Sequence, residues 1–231
     1  MTRTITPAQT RSASTGVAPL QRADHADYLA LLDLTTSSEG LPGEVGKVLT
    51  LPPVRAPFTH GPALCLAAGT RRSPQPVGAL FAARPDWAVD HPLCQNDPQL
   101  SQLLDRTALC VYGVAVTPRR RRQGIARALL TQAEDRARST GYRLVTLIHI
   151  PELAPFYQRL GFTTATHITL VLPNSLMGLV QPRPFMTAVK PLDSSVVVRT
   201  LPGARGPVLT GLLPGCDLPP NARFHNGRLT A

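Results

Sequence analysis

The residues best suited to chemistry stand in one string, Val114-Ala115-Val116-Thr117-Pro118-Arg119-Arg120-Arg121-Arg122-Gln123-Gly124-Ile125-Ala126. An apolar run enters a turn and then a helix start. The first amides of a helix lack partners within the helix, and the helix dipole favours negative charge there. Gly124 and Ala126 carry no bulky side chain, so a diphosphate can approach the backbone closely. The arginines add charge-assisted hydrogen bonds to phosphate. The string reads as an anion site for a pyrophosphate. It is not a P-loop, since Gly-Lys-Ser/Thr is absent, nor the Gly-x-Gly-x-x-Gly of dinucleotide folds. A solvated Arg-rich loop before an amphipathic helix is the plainer alternative. A nucleic-acid patch is the weaker one, because no aromatic residues interleave the arginines.

Further candidates flank this string. Cys110 and Tyr112 fall on one face of the preceding strand by alternation. His149 closes the next strand, and imidazole is the side chain that trades protons near neutrality. Its other reading is a strand-end histidine with a satisfied hydrogen bond. Glu39 and Glu152 offer carboxylates for an ammonium group, with solvated loop charges as the plain reading of each.

These residues need a frame. Ala108–Val116 is an apolar run short enough for a buried strand. After Gly124, Ile125, Leu129, Ala133 and Ala137 recur at helical spacing, and Thr140-Gly141 ends that helix. Tyr142–Ile150 reads as strand, Pro155 opens a short helix that Gly161 ends, and Ala165–Leu172 and Pro184–Lys190 are further strands. This alternation predicts an α+β or α/β architecture with a mixed sheet. Upstream, Asp24–Leu34 and Glu44–Leu51 are short helices, the second ended by Pro52-Pro53. Ala63–Ala68 and Pro76–Ala83 form a hairpin. Arg84–Arg106, rich in Asp, Pro and His, reads as a long functional connection in which Trp87 is a candidate pocket wall. The division predicted is a flexible arm over 1–19, a domain over 20–191 and a Pro/Gly-rich extension over 192–231.

The 231 residues are 43% hydrophobic and 16% charged, enough for one sizeable core. Pro and Gly number 24 and 17, short of the roughly 25–30% that marks low-complexity chains. No apolar run approaches the ~18 residues of a membrane span. The first sixteen residues lack an apolar signal core. Four scattered cysteines without a Cys-x-x-Cys pair argue against a disulfide framework and a zinc module. A reducing, cytoplasmic setting is the expectation. The net charge is +10, and residues 108–160 hold nine arginines against Glu134, Asp135 and Glu152. A basic centre predicts an anionic partner: nucleic acid, a phosphorylated cofactor or an acidic surface.

Val-x-Val-x-Pro followed by Arg-x-x-Gly-x-Ala, and then Ala154-Pro155-Phe156-Tyr157-Gln158-Arg159-Leu160-Gly161-Phe162, resembles the acetyl-CoA signature of the GCN5-related N-acetyltransferase (GNAT) family. The resemblance is firm over 108–163 and looser over 20–191. Within the family, the Pro-Phe-Tyr-Gln-Arg-x-Gly-Phe string, the long insertion before the central strand and Ser37–Gly40 look most like arylalkylamine N-acetyltransferases.

The resemblance implies a mixed sheet that splays between Leu109–Val116 and Arg143–Ile150 to admit the pantetheine arm of acetyl-CoA, the co-substrate. Backbone groups of Val114, Ala115 and Val116 would pair with that arm. Arg121, Arg122, Gln123, Gly124, Ile125 and Ala126 would wrap the pyrophosphate. Amides near Val114 would hold the thioester oxygen, and Tyr157 matches the tyrosine that protonates the departing sulfur. Arylalkylamine enzymes place two histidines where Cys110 and Tyr112 stand here, so the base is left among Tyr112, His149, Glu39 and Glu152. The implied function is acetyl transfer to a primary amine of a small molecule by direct attack in a ternary complex. The implied protein is a monomer or homodimer without metal, nucleic acid or membrane. A protein N-terminal or lysine acetyltransferase and a non-catalytic acyl-CoA-binding module are the alternatives.

Overall fold

The computed structural model describes residues 15–20, 24–35, 41–51, 63–70, 73–225 and 228–230. Residues 1–14, Ser37–Gly40 with Glu39, and Pro52-Pro53 lie outside them.

Strand β1 (Thr15–Pro19) precedes helices α1 (His25–Leu32) and α2 (Leu41–Leu49), and the hairpin β2 (Ala63–Thr70) and β3 (Ser73–Ala83) follows. Three short helices come next: α3 (Asp86–Val89), α4 (Pro92–Asn96) and α5 (Pro98–Thr107). The centre is β4 (Ala108–Val116), α6 (Ile125–Ser139), β5 (Leu144–His149) and α7 (Ala154–Arg159). Then come β6 (Thr163–Ala165), β7 (His167–Leu172), β8 (Ser175–Val180) and β9 (Met186–Pro191). The C-terminal part adds β10 (Val197–Arg199), β11 (Val208–Thr210), β12 (Arg223–His225) and β13 (Arg228–Thr230). The main sheet runs β1-β2-β3-β4-β5-β9-β6, with β4 and β5 its parallel pair. A second sheet runs β10-β11-β7-β8, and β12 pairs with β13 alone.

Four expectations change. Arg84–Arg106 is not a loop, because Pro92 and Pro98 each occupy the first turn of a helix, where a missing N–H costs nothing. Asp97 caps α5 by accepting from the N–H groups of Gln99 and Leu100, both at 3.0 Å. The arm is strand from Thr15, paired antiparallel with β2 from Thr15↔Thr70 to Pro19↔Leu66. Ala165–Leu172 is two strands, β6 and β7, in different sheets. The extension beyond residue 191 is built into the fold, since β11 lies parallel against β7. Arg143, just before β5, holds it there by donating to the carbonyls of Leu212 (2.5 Å) and Gly211 (2.8 Å) and to Ser195.

One face of the main sheet packs on α6 through Leu109, Val111, Val145 and Leu147 against Ile125, Leu129, Leu130 and Ala133. Glu134 is buried on α6, and Lys190 of β9 donates to its Oε2 at 2.6 Å. Arg138 adds a longer contact of 3.5 Å from the surface. Removing one partner of a buried pair strands the other charge. Lys190→Met is therefore expected to cost about 3 kcal/mol in denaturant unfolding. The double variant Glu134→Leu/Lys190→Met should recover most of that loss, and a single variant as stable as the parent would refute the pairing.

Candidate active site

The site begins where two strands part. β4 and β5 pair from Ala108↔Leu144 to Val111↔Leu147, and no further. β3 and β9 continue on their outer sides, to Gly78↔Val116 and His149↔Met186. Residues 112–116 thus present an edge that no described strand covers on the β5 side. A register shift opposite Phe81 and Ala82 leaves Tyr112 without a cross-strand partner. This bulge reverses the alternation. Cys110 and Tyr112 share a face as expected, but Val114 and Val116 turn to the α6 face, where they pack with its core, and Tyr112 packs with α1 and α2.

The parting strands open a cavity of about 460 Å³. One end lies at the start of α6. Gly124 adopts φ +79° as the N-cap, and a Cβ there would meet nothing within 4 Å. Arg122 also lies in the left-handed region, at φ +63°, a conformation that non-glycine residues rarely adopt. Arg121 donates from Nε to the Val116 carbonyl at 3.2 Å, tying the loop to the strand end. Helix α6 comes so close to β3 that a Cβ on Gly78 would fall 2.8 Å from Ile125 Cγ2. Arg120, Arg121, Arg122, Gly124, Ile125, Ala126 and Arg127 all line this end, while Gln123 and Arg119 do not. Val114, Ala115 and Val116 line the slot between.

At the other end stand Tyr112, His149, Leu153, Phe156 and Tyr157, with Leu34 and Thr35 after α1. Tyr157 is 7% exposed. Its ring lies 5.0 Å from His149, 5.1 Å from Phe156 and 5.8 Å from Phe162, centroid to centroid. Burial alone pushes its hydroxyl up to about 12. Core packing and cavity lining are both true of this residue. His149 is 2% exposed, with Nδ1 2.7 Å from the Ile150 carbonyl and Nε2 buried without a partner among the described residues.

Tyr112 is committed elsewhere. Its hydroxyl donates to the Arg84 carbonyl and accepts from the Asp86 N–H, both at 2.8 Å. Burial holds its pKa well above the ordinary tyrosine value. The side chain is a strut between the bulge and α3, and its oxygen is poorly placed to act as a base. The Asp86 carboxyl lies beside the same hydroxyl, raised by burial and drawn back by the Tyr112 hydrogen bond. Sequence reasoning missed Asp86, since nothing at a separation of 26 residues signals the contact. Trp87 does not line the cavity: it packs on the core of the second sheet and donates to Thr146 Oγ1 at 3.1 Å. Glu152 is exposed and outside the lining. Cys110 is fully buried, its thiol pushed up to about 12.

No curated protein matches the sequence. Residues 93–164, from α4 to β6, match the family model for the acetyltransferase (GNAT) domain. Among solved structures, the chain is similar to the GNAT family N-acetyltransferase YhbS from Escherichia coli in complex with CoA. That match has 19% identity and TM-score 0.53, covering 90% of this chain and 92% of that one. NAA60 from Arabidopsis thaliana in complex with acetyl-CoA matches with 16% identity and TM-score 0.52, over 76% and 96%. The ribosomal-protein-S18-alanine N-acetyltransferase from Escherichia coli matches with 13% identity and TM-score 0.50, over 78% and 95%. The splayed parallel pair, the glycine-led helix start and the buried tyrosine therefore sit in the segment that matches the acetyltransferase (GNAT) domain model, and the chain as a whole has the fold of the GNAT acyltransferases.

Proposed function

We infer that this chain transfers an acetyl group from acetyl-CoA to the primary amine of a small molecule by direct attack in a ternary complex. The observation that carries the reading is the uncovered β4 edge beyond Val111, which leads from the Gly124 helix start to the Tyr157 hydroxyl. The residues present fit the co-substrate. The uncovered edge suits the amides of a pantetheine arm as a strand would, and the open space at Gly124 with the flanking arginines suits a diphosphate. YhbS and NAA60 were solved with CoA and acetyl-CoA, which supports the same assignment.

Backbone amides near Val114 would hold the carbonyl oxygen as charge develops, and Tyr157 would protonate the leaving sulfur. The ordinary values of a phenol and a thiol lie close together, so proton transfer from Tyr157 to the departing thiolate is nearly balanced. Direct attack is favoured over an acyl-enzyme because burial raises the Cys94, Cys110 and Cys216 thiols, where a nucleophile needs a lowered pKa.

The acceptor end favours a small amine. Its lining includes the apolar side chains of Leu34, Leu153 and Phe156. A protein N-terminal amine is the second reading, supported by the likeness to the ribosomal-protein-S18-alanine enzyme. The test is calorimetric titration with acetyl-CoA, followed by mass detection of products from a panel of small amines and N-terminal peptides. Micromolar binding and acetylated small amines are expected. Acetylation of peptides alone would move the acceptor to protein, and binding without any product would leave an acyl-CoA-binding module.

A further inference from the structure

Of the rings packed on Tyr157, His149 and Phe156 line the cavity with it. Phe162 does not. It is 3% exposed, lies outside the lining and meets the tyrosine edge-on, the ring planes 73° apart. The Phe162 N–H donates to the Tyr157 carbonyl at 3.1 Å, which ties the two backbones across the turn at Gly161. The Phe162 ring is backed in turn by Lys190 of β9. Its Nζ stands over that ring, 5.4 Å from the centroid, within cation–π range. The stem also lies against the turn, since a Cβ at Gly161 would come 3.5 Å from Lys190 Cε. A lysine stem is flexible, but this one is pinned at its tip by donating to Glu134 Oε2 at 2.6 Å. Glu134 stands on α6, the helix whose start bounds the arginine end of the cavity. Three groups outside the lining thus connect the two ends of the site.

We propose that Lys190, fixed by Glu134, is a positioning residue that holds the Phe162 ring and, through it, the Tyr157 hydroxyl at the reacting end of the cavity. It rests on the acetyltransferase reading above. The action is mechanical rather than electrostatic. Glu134 matches the Lys190 charge, and burial is the sole cause that raises the Tyr157 hydroxyl. A proton donor has to sit within hydrogen-bond reach of the departing sulfur. Small misplacement therefore lowers turnover steeply, while the bound co-substrate keeps its contacts with the slot and the arginine loop.

The experiment separates position from stability. Glu134→Leu/Lys190→Met removes both charges of the pair, so the fold should be retained, and Arg138 keeps Asp135 at 3.0 Å. The methionine can still lie against Phe162, but nothing pins it. The expected result is a loss of about tenfold in kcat, with acetyl-CoA affinity within about twofold of wild type. Lys190→Arg, which keeps the cation and the ion pair, should retain most of the turnover. Phe162→Leu, which removes the ring and leaves the pair intact, should lose kcat by a similar factor. The deciding measurement repeats the double change in a Tyr157→Phe background. A residue acting through the hydroxyl has nothing left to position there, so kcat should fall by no more than about twofold. A second loss of about tenfold in that background, or a folded double variant with wild-type kcat, would overturn the positioning role and leave the acetyltransferase reading intact. Wild type that neither binds acetyl-CoA nor acetylates any amine would remove both.

Discussion

Tyr157→Phe is expected to lower kcat by about 10²–10⁴-fold while acetyl-CoA affinity stays within a few-fold of wild type. The substitution keeps the ring that packs against His149, Phe156 and Phe162, so the fold and the slot should be retained. It removes one proton donor needed only when the carbon–sulfur bond breaks, and interactions confined to the transition state act on kcat. Calorimetry and steady-state kinetics check the split. An equal loss in affinity and turnover would mean that the hydroxyl holds the ground state. The pH profile follows in sign from burial. A phenol raised to about 12 keeps its proton well past the ordinary tyrosine value near 10. The kcat of wild type should therefore show no alkaline fall from Tyr157 below about pH 11, and a fall near pH 9 that Tyr157→Phe lacks would contradict the burial effect.

Gly124→Glu should weaken acetyl-CoA binding at least about 100-fold, or roughly 2.7 kcal/mol, with much less effect on stability. Two effects of opposite sign separate here. A carboxylate at a helix N-terminus is favourable to the helix, and the open space means no clash. The cost to folding is that of a side chain at φ +79°, about 1–2 kcal/mol. The same carboxylate occupies the approach to the first amides of α6 and repels a diphosphate. Gly124→Ala is the control, carrying the backbone cost without the charge. Calorimetric titration of both variants reads the difference. Equal weakening by Ala and Glu would assign the effect to backbone geometry, and no weakening by Glu would remove the phosphate site from this loop.

What was legible in the sequence was local. The strand into Thr117, the turn at Pro118, the helix at 3.6-residue spacing and the short helix between Pro155 and Gly161 depend on neighbours within a few residues. Backbone dihedral limits and capping chemistry operate at that range. The arginine loop was read from this local pattern, and Tyr157 from the family resemblance of the string that holds it. The helices α3–α5 were missed because proline and aspartate serve both as loop residues and as helix starters, and composition alone does not tell the two uses apart.

The rest was decided by tertiary structure. The parting of β4 from β5 after Val111 and the bulge at Tyr112 depend on which strands lie on either side, and they reverse the face on which Val114 stands. The Tyr112 hydroxyl is spent on Arg84 and Asp86, and His149 has its tautomer set by a carbonyl and its free nitrogen buried. Residues 192–231 read as an appendage in one dimension, yet β11 pairs with β7 and Arg143 donates to Gly211, Leu212 and Ser195 and pairs with Asp193. Sequence carries each residue's own conformational preference. Which hydrogen bonds are already made, and which groups are left free to act, depends on partners brought together from tens of residues away.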